Sequence, residues 1–208
     1  ADTVVYRVNC GGPAVAAADA GPAWSADGGG ASTSPWVNAG AAGDNVFGSS
    51  APMQAAHPSV PAHVPAAVFG DERWDPGAAP EMQWEFPVAN GAYRVNLLLA
   101  EGYSGTQFAG ARVMDVACEG VVRLDDYDVY AHFGGYTPGM ETFLVTVADG
   151  SLSLEFRHTP FDDPADAAEL ADELERLQPS ELLVSEDQRD LLEALGEPAA
   201  ALGVEGYL

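Results

Sequence analysis

The stretch from Phe69 to Tyr103 decides the fold, and within it Glu81-Met82-Gln83-Trp84-Glu85-Phe86-Pro87-Val88 is the clearest element. Gln83 and Glu85 fall between apolar neighbours, the period-two pattern of a strand with one face buried and one face wet. Asn90-Gly91 follows, a dipeptide that favours positive φ at a two-residue hairpin turn, and Ala92 to Ala100 resumes the apolar pattern around Asn96. Further strands are expected over 111–119, 143–147 and 151–156. Asp149-Gly150 supplies a second hairpin signal, and Ser151-Leu152-Ser153-Leu154-Glu155-Phe156 alternates cleanly. Short antiparallel strands with one apolar face each bury those faces most simply as a two-sheet β-sandwich, so the fold class is all-β.

Towards the N-terminus, Thr3 to Val8 reads as a strand that enters a turn at Asn9, Gly11, Gly12 and Pro13. From Gly11 to Pro65 the chain is crowded with Gly, Ala, Ser and Pro, yet it carries Trp24, Trp36 and Phe47. Three large aromatics in such a tract predict an ordered loop layer packed on a core rather than a linker. After His158 the character changes. Asp163-Pro164 is a helix start, and Ala167, Leu170, Ala171, Leu174 and Leu177 share one helical face. Ser185 with Gln188 forms a capping box ahead of Leu191, Leu192 and Leu195. The expected organisation is a sandwich domain over 1–160 and a short acidic α-helical appendage over 161–208.

The 208 residues include 32 Asp and Glu against 8 basic residues, all of them Arg, for a formal net charge of -24. That surface repels phosphate backbones and argues against nucleic-acid partners. Acids scattered along the chain in this excess are the expected signature of a halophilic prokaryotic source, because salt shortens the Debye length to about 3 Å at 1 M and quenches their mutual repulsion. The longest apolar run, Val95 to Ala100, is too short for membrane insertion. No signal peptide is visible and the chain begins at Ala, as a trimmed mature protein or a module of a larger one would. Cys10 and Cys118 read as two buried free thiols, although a single bridge between them is an open alternative. The four histidines are separated in sequence, and no metal or cofactor site is expected. Asp125, Asp126 and Asp128 offer oxygens for calcium, but lack a Gly-centred loop with a distal Glu and fit a solvated strand edge as well.

Several ordered motifs resemble the malectin domain, a carbohydrate-binding β-sandwich. They are Tyr6-Arg7-Val8-Asn9-Cys10-Gly11-Gly12, Glu72-Arg73-Trp74-Asp75-Pro76, Ala100-Glu101-Gly102-Tyr103, Val113-Met114-Asp115-Val116 and Leu124-Asp125-Asp126-Tyr127-Asp128-Val129-Tyr130, spread over roughly 150 residues. The resemblance fails in the tail. Asp162-Asp163-Pro164 matches the start of the family's closing motif, but a helix-like pattern replaces the apolar strand that should follow.

The resemblance implies a non-catalytic module that recognises a neutral oligosaccharide or polysaccharide. Family sites use loop aromatics after the Glu-Arg-aromatic and Ala-Glu-x-Tyr motifs and an acid of the closing motif, which correspond to Trp74, Tyr103 and Asp162. Arg73 is a candidate fork for vicinal hydroxyls or a partner in a structural ion pair, and Phe47 falls near where another site aromatic would lie. Ser104 stands where animal malectins carry a second aromatic. An extracellular or cell-surface location, with neighbouring domains of a larger protein as further partners, goes with that reading. The alternative is a structural or adhesive module without sugar binding, and a third reading is a glycoside hydrolase. Nothing resembles a nucleophile elbow or a Ser, His and Asp set.

Overall fold

A computed structural model describes residues 3–77 and 79–158. Ten strands occur among them: β1 (Val8–Cys10), β2 (Ser25–Asp27), β3 (Asn45–Gly48), β4 (Asp71–Trp74), β5 (Met82–Pro87), β6 (Gly91–Leu99), β7 (Val113–Cys118), β8 (Val121–Asp128), β9 (Gly139–Val147) and β10 (Ser151–His158). Two short α-helices, α1 (Ala39–Ala42) and α2 (Val129–Phe133), and three single-turn 3-10 helices at Gly30–Ser32, Ala66–Phe69 and Ser104–Thr106 accompany them. Asp163 to Gly196, where two helices are expected, lies outside the described residues, as does Asp162.

The fold is an antiparallel β-sandwich. One sheet has the order β5-β10-β7-β8 and faces the β6-β9 pair, while β3-β4 and β1-β2 form two further ribbons. β1 and β2 run parallel. Met82 and Trp84 of β5, Val116 and Cys118 of β7, Val145 and Val147 of β9, and Leu152 and Leu154 of β10 make the core. Between them on β5 and β10, Gln83 and Glu155 stand opposite each other on the outer face, joined at 2.6 Å from Gln83 Nε2 to Glu155 Oε1. The period-two pattern read from the sequence is therefore the real inside-outside alternation.

The loop layer is ordered on this core. Trp36 packs edge-on to Tyr6 at 4.9 Å and tilted on Phe86 at 5.5 Å. Glu85 N donates to Trp36 O and Asn38 N to Gln83 O, so residues 36–38 cover the outer edge of β5, which would otherwise invite another strand.

Four expectations are corrected. Asn90-Gly91 and Asp149-Gly150 are not hairpin turns: β5 pairs with β10 and β6 with β9, so both connections cross between sheets. They travel side by side, with Val88 N donating to Gly150 O and Asn90 Nδ2 to Ala148 O. A turn dipeptide reverses the chain, but long-range pairing decides which strand receives it. Thr3 to Arg7 lies outside any strand, although Arg7 O accepts from Ser25 N at 2.9 Å, and the N-terminal strand begins only at Val8. β3 and β4 form in segments too short and too polar to carry a periodic signal. Both thiols are free, and Cys118 is buried, whereas Cys10 at the end of β1 is exposed as a residue although burial pushes its thiol up to about 12. Burial pushes the Cys118 thiol up to about 11. Among the described residues no helix is long and apolar enough to cross a membrane.

Candidate functional site

The β3-β4 ribbon sorts the candidate residues onto two faces. Asn45 stands opposite Trp74, Val46 opposite Arg73 and Phe47 opposite Glu72. Paired residues point the same way and successive residues point oppositely, so Asn45, Phe47, Glu72 and Trp74 share one face while Val46 and Arg73 share the other.

The second face is buried on the β1-β2 ribbon. Arg73 Nε donates to Asp27 Oδ2 at 2.6 Å and Nη2 to Asp27 Oδ1 at 2.7 Å, while Nη1 reaches Asp44 Oδ2 at 3.0 Å. The Arg73 side chain is 2% exposed and that of Asp27 0%. Asp27 also accepts the backbone N–H groups of Gly11 and Ser34. The fork expected for sugar hydroxyls is thus wholly engaged inside the protein, and of its two sequence readings Arg73 occupies the structural one.

The first face is continued by the loop after β6. Glu101, 1% exposed, accepts from Tyr103 N at 3.1 Å and Thr106 Oγ1 at 2.7 Å, and its own carbonyl accepts from Gln107 Nε2 and Tyr136 N. A buried carboxylate aimed at its own loop fixes the loop's shape. Ser49 Oγ, just beyond β3, donates to Gly102 O and ties the loop to the ribbon. Tyr103 is thereby set edge-on against Phe47, with ring centres 5.3 Å apart and planes at 83°, a favourable quadrupolar arrangement. Tyr103 stays 45% exposed and Trp74 41%, while Phe47 is half-buried.

Polar groups adjoin these rings. Arg112, ahead of β7, lies between two carboxylates, with Nη1 3.3 Å from Glu72 Oε1 and Nε 3.6 Å from Glu101 Oε2. Burial holds the Glu72 carboxyl above its usual range, with Arg112 opposing the shift and Glu101 reinforcing it. Two carboxylates and one guanidinium leave the cluster with one net negative charge beside three aromatic rings. Such a surface can stack on apolar faces and exchange hydrogen bonds with hydroxyls.

Of the residues proposed from sequence, Phe47 and Tyr103 come together and Trp74 shares their face. Arg73 does not, and Asp162 lies outside the described residues. Glu72, Glu101 and Arg112 were missed as site groups. Glu72 and Glu101 belong to the Glu-Arg-aromatic and Ala-Glu-x-Tyr motifs, but no spacing ties them to each other or to Arg112, forty residues downstream of Glu72. Among the described residues Asp125, Asp126 and Asp128 do not gather their carboxylates as a ligand set, and Asp128 Oδ1 caps α2 at Ala131 N while its Oδ2 accepts Gly110 N.

Among solved structures, the chain is similar to the plant receptor-like kinase FER, with 20% identity and a TM-score of 0.63 over 76% of this chain and 45% of that one. It is equally similar to FER in a structure with the plant peptide RALF23 and LLG2, with 20% identity and a TM-score of 0.65 over 76% and 44%. A Bacteroides uniformis beta-glucuronidase shares 13% identity and a TM-score of 0.53 over 74% of this chain and 16% of that one. These likenesses are to the fold, and the chain spans under half the length of each of these structures. No curated protein matches the sequence. The family model for the malectin domain matches residues 4–163, well over half of the chain, and the protein belongs to that family.

Proposed function

We propose that the chain is a carbohydrate-binding module for a neutral glycan, outside the cell or at its surface, and that it carries out no chemistry on the sugar. The observation that carries this reading is the Phe47-Tyr103 ring pair with Trp74 on the same ribbon face, where both Tyr103 and Trp74 remain open to solvent. Exposed rings anchored by buried polar groups suit the apolar faces of pyranose rings. Glu72 and Arg112 at the margin supply an acceptor and a donor for hydroxyls. The negative balance there disfavours uronic acids and sulfated sugars. Asp162 is retained as a further acceptor on the family resemblance alone. A hydrolase reading gains nothing from Glu72 and Glu101, since Arg112 sits between them and Glu101 is buried.

The second reading is an adhesive or structural module that meets a protein or peptide partner, as FER meets RALF23. An uncharged-glycan array probed in about 1 M salt separates the two. Binding that falls at least about 30-fold in Trp74→Ala and in Tyr103→Ala, about 2 kcal/mol each, supports the glycan reading. A folded parent that binds no glycan overturns it in favour of the protein partner. The halophilic source is proposed on the acid excess alone.

A further inference from the structure

We propose that Asp75 and His158, oriented by Glu81, form a site for one divalent cation of the zinc class, separate from the ring face. The three residues come from the end of β4, the approach to β5 and the last residue of β10, and their candidate ligand atoms lie within 4.8 Å of one another.

Glu81 fixes the imidazole. Its Oε2 accepts from His158 Nδ1 at 2.6 Å and from the His158 backbone N at 3.3 Å. A proton held on Nδ1 leaves the Nε2 lone pair free, the carboxylate-imidazole relay that commonly backs a metal-bound histidine. Nε2 then faces Asp75 Oδ1 at 3.8 Å. That separation is too long for a hydrogen bond, and a charge-assisted bond from an imidazolium would close to about 2.7–2.9 Å. Two metal-ligand bonds of about 2.0–2.2 Å meeting at a tetrahedral angle span about 3.3–3.6 Å, so a few tenths of an ångström of closure would seat an ion. Asp75 is held in place from behind, since Oδ2 accepts Met82 N at 2.8 Å. Its side chain is only 10% exposed. Arg157, next to His158 in sequence, is turned onto Glu155 at 2.6 Å.

The other histidine-carboxylate pairs lack this arrangement. His63 Nε2 also stands 3.8 Å from an acid, Asp19, but the two oxygens of Asp19 are already held by Arg7. His132 Nε2 lies 3.5 Å from Glu141 Oε1, which accepts the Tyr127 hydroxyl. One imidazole and one carboxylate leave the remaining positions to water, and the mixed nitrogen and oxygen set favours zinc over calcium.

The test is calorimetric titration of the full chain with zinc chloride at neutral pH in about 1 M sodium chloride, where diffuse attraction to the acidic surface is screened. One ion per chain is expected, with affinity falling at least tenfold in Asp75→Asn and His158→Gln and unchanged in Asp125→Asn. Calcium at equal concentration should not displace it. As a readout on the unsubstituted chain, zinc should shift the Nε2 resonance of His158 and leave those of His57, His63 and His132 in place. Equal affinity in parent and variants, a His158 resonance that does not respond, or displacement by calcium would each overturn the proposal.

Discussion

Arg73 grips Asp27 with two parallel hydrogen bonds of 2.6 and 2.7 Å, and the pair is sealed from water, with side chains 2% and 0% exposed. This fork joins the second strand of the ring-bearing ribbon to the β1-β2 ribbon, 46 residues earlier in the chain. It explains why an arginine should sit next to a solvent-facing tryptophan: one residue roots the ribbon and the next presents its outer face.

Removing the guanidinium would leave Asp27 charged and buried. Arg73→Ala should therefore cost about 3–5 kcal/mol of stability in urea unfolding. Arg73→Lys should recover only part of the loss, because an ammonium cannot reproduce the paired contact. A loss under about 1 kcal/mol in Arg73→Ala would show that the pair contributes little to holding the ribbon.

Trp74 and Trp84 should respond oppositely. Trp84 is 3% exposed in the core, so Trp84→Ala should lose about 3–5 kcal/mol. Trp74→Ala, at a surface position, should change stability by no more than about 0.5 kcal/mol while it weakens glycan binding at least about 30-fold. Equilibrium unfolding and the glycan array, run on both variants, separate the two roles.

Gly11 has φ +78°, and a Cβ there would collide with the carbonyl group of Glu72. Gly11→Ala must push β4 away, and overpacking with left-handed strain should cost about 3 kcal/mol or more. Gly30 has φ +54° with nothing within 4 Å, so Gly30→Ala should show only the strain, about 1–2 kcal/mol. Similar melting temperatures for the two variants would remove the close approach as the reason for Gly11.

Glu72 keeps its proton to higher pH in the folded chain than in the unfolded one, chiefly because of burial. In the window above the ordinary value of 4.5 the folded state therefore binds more protons, and stability falls as pH rises through it. Asp71 and Asp75, also raised by burial, act in the same direction. Glu72→Gln removes one such contribution. Its melting temperature relative to the parent should climb from acid towards neutral pH, whereas a flat difference would contradict the shift.

With a net charge of -24, the parent should melt at higher temperature in about 1 M salt than in 0.1 M, as the Debye length shrinks from about 10 to 3 Å. Thermal scans in sodium chloride and in potassium chloride check this. Equal melting temperatures at both strengths would show that self-repulsion does not limit the fold.

Period-two alternation was enough to read β5 and β10, because burial of one face leaves its mark on every second residue, and the spacing of motifs was enough to indicate the family. Trp74 and Tyr103 come from the family motifs, and their exposure was legible because each stands in a polar, turn-rich setting that does not bury rings. Three-dimensional pairing alone decided the rest. The connections at Asn90-Gly91 and Asp149-Gly150 look local but join different sheets, since strand partners are chosen by the whole core. Arg73 and Arg112 are alike in sequence, each an arginine in a chain rich in acids. Contacts with Asp27 and Asp44 bury the first, and Glu72 and Glu101 hold the second beside the rings. A side chain's hydrophobicity is local information, but the partner of a charge is a property of distant residues that only folding brings within reach.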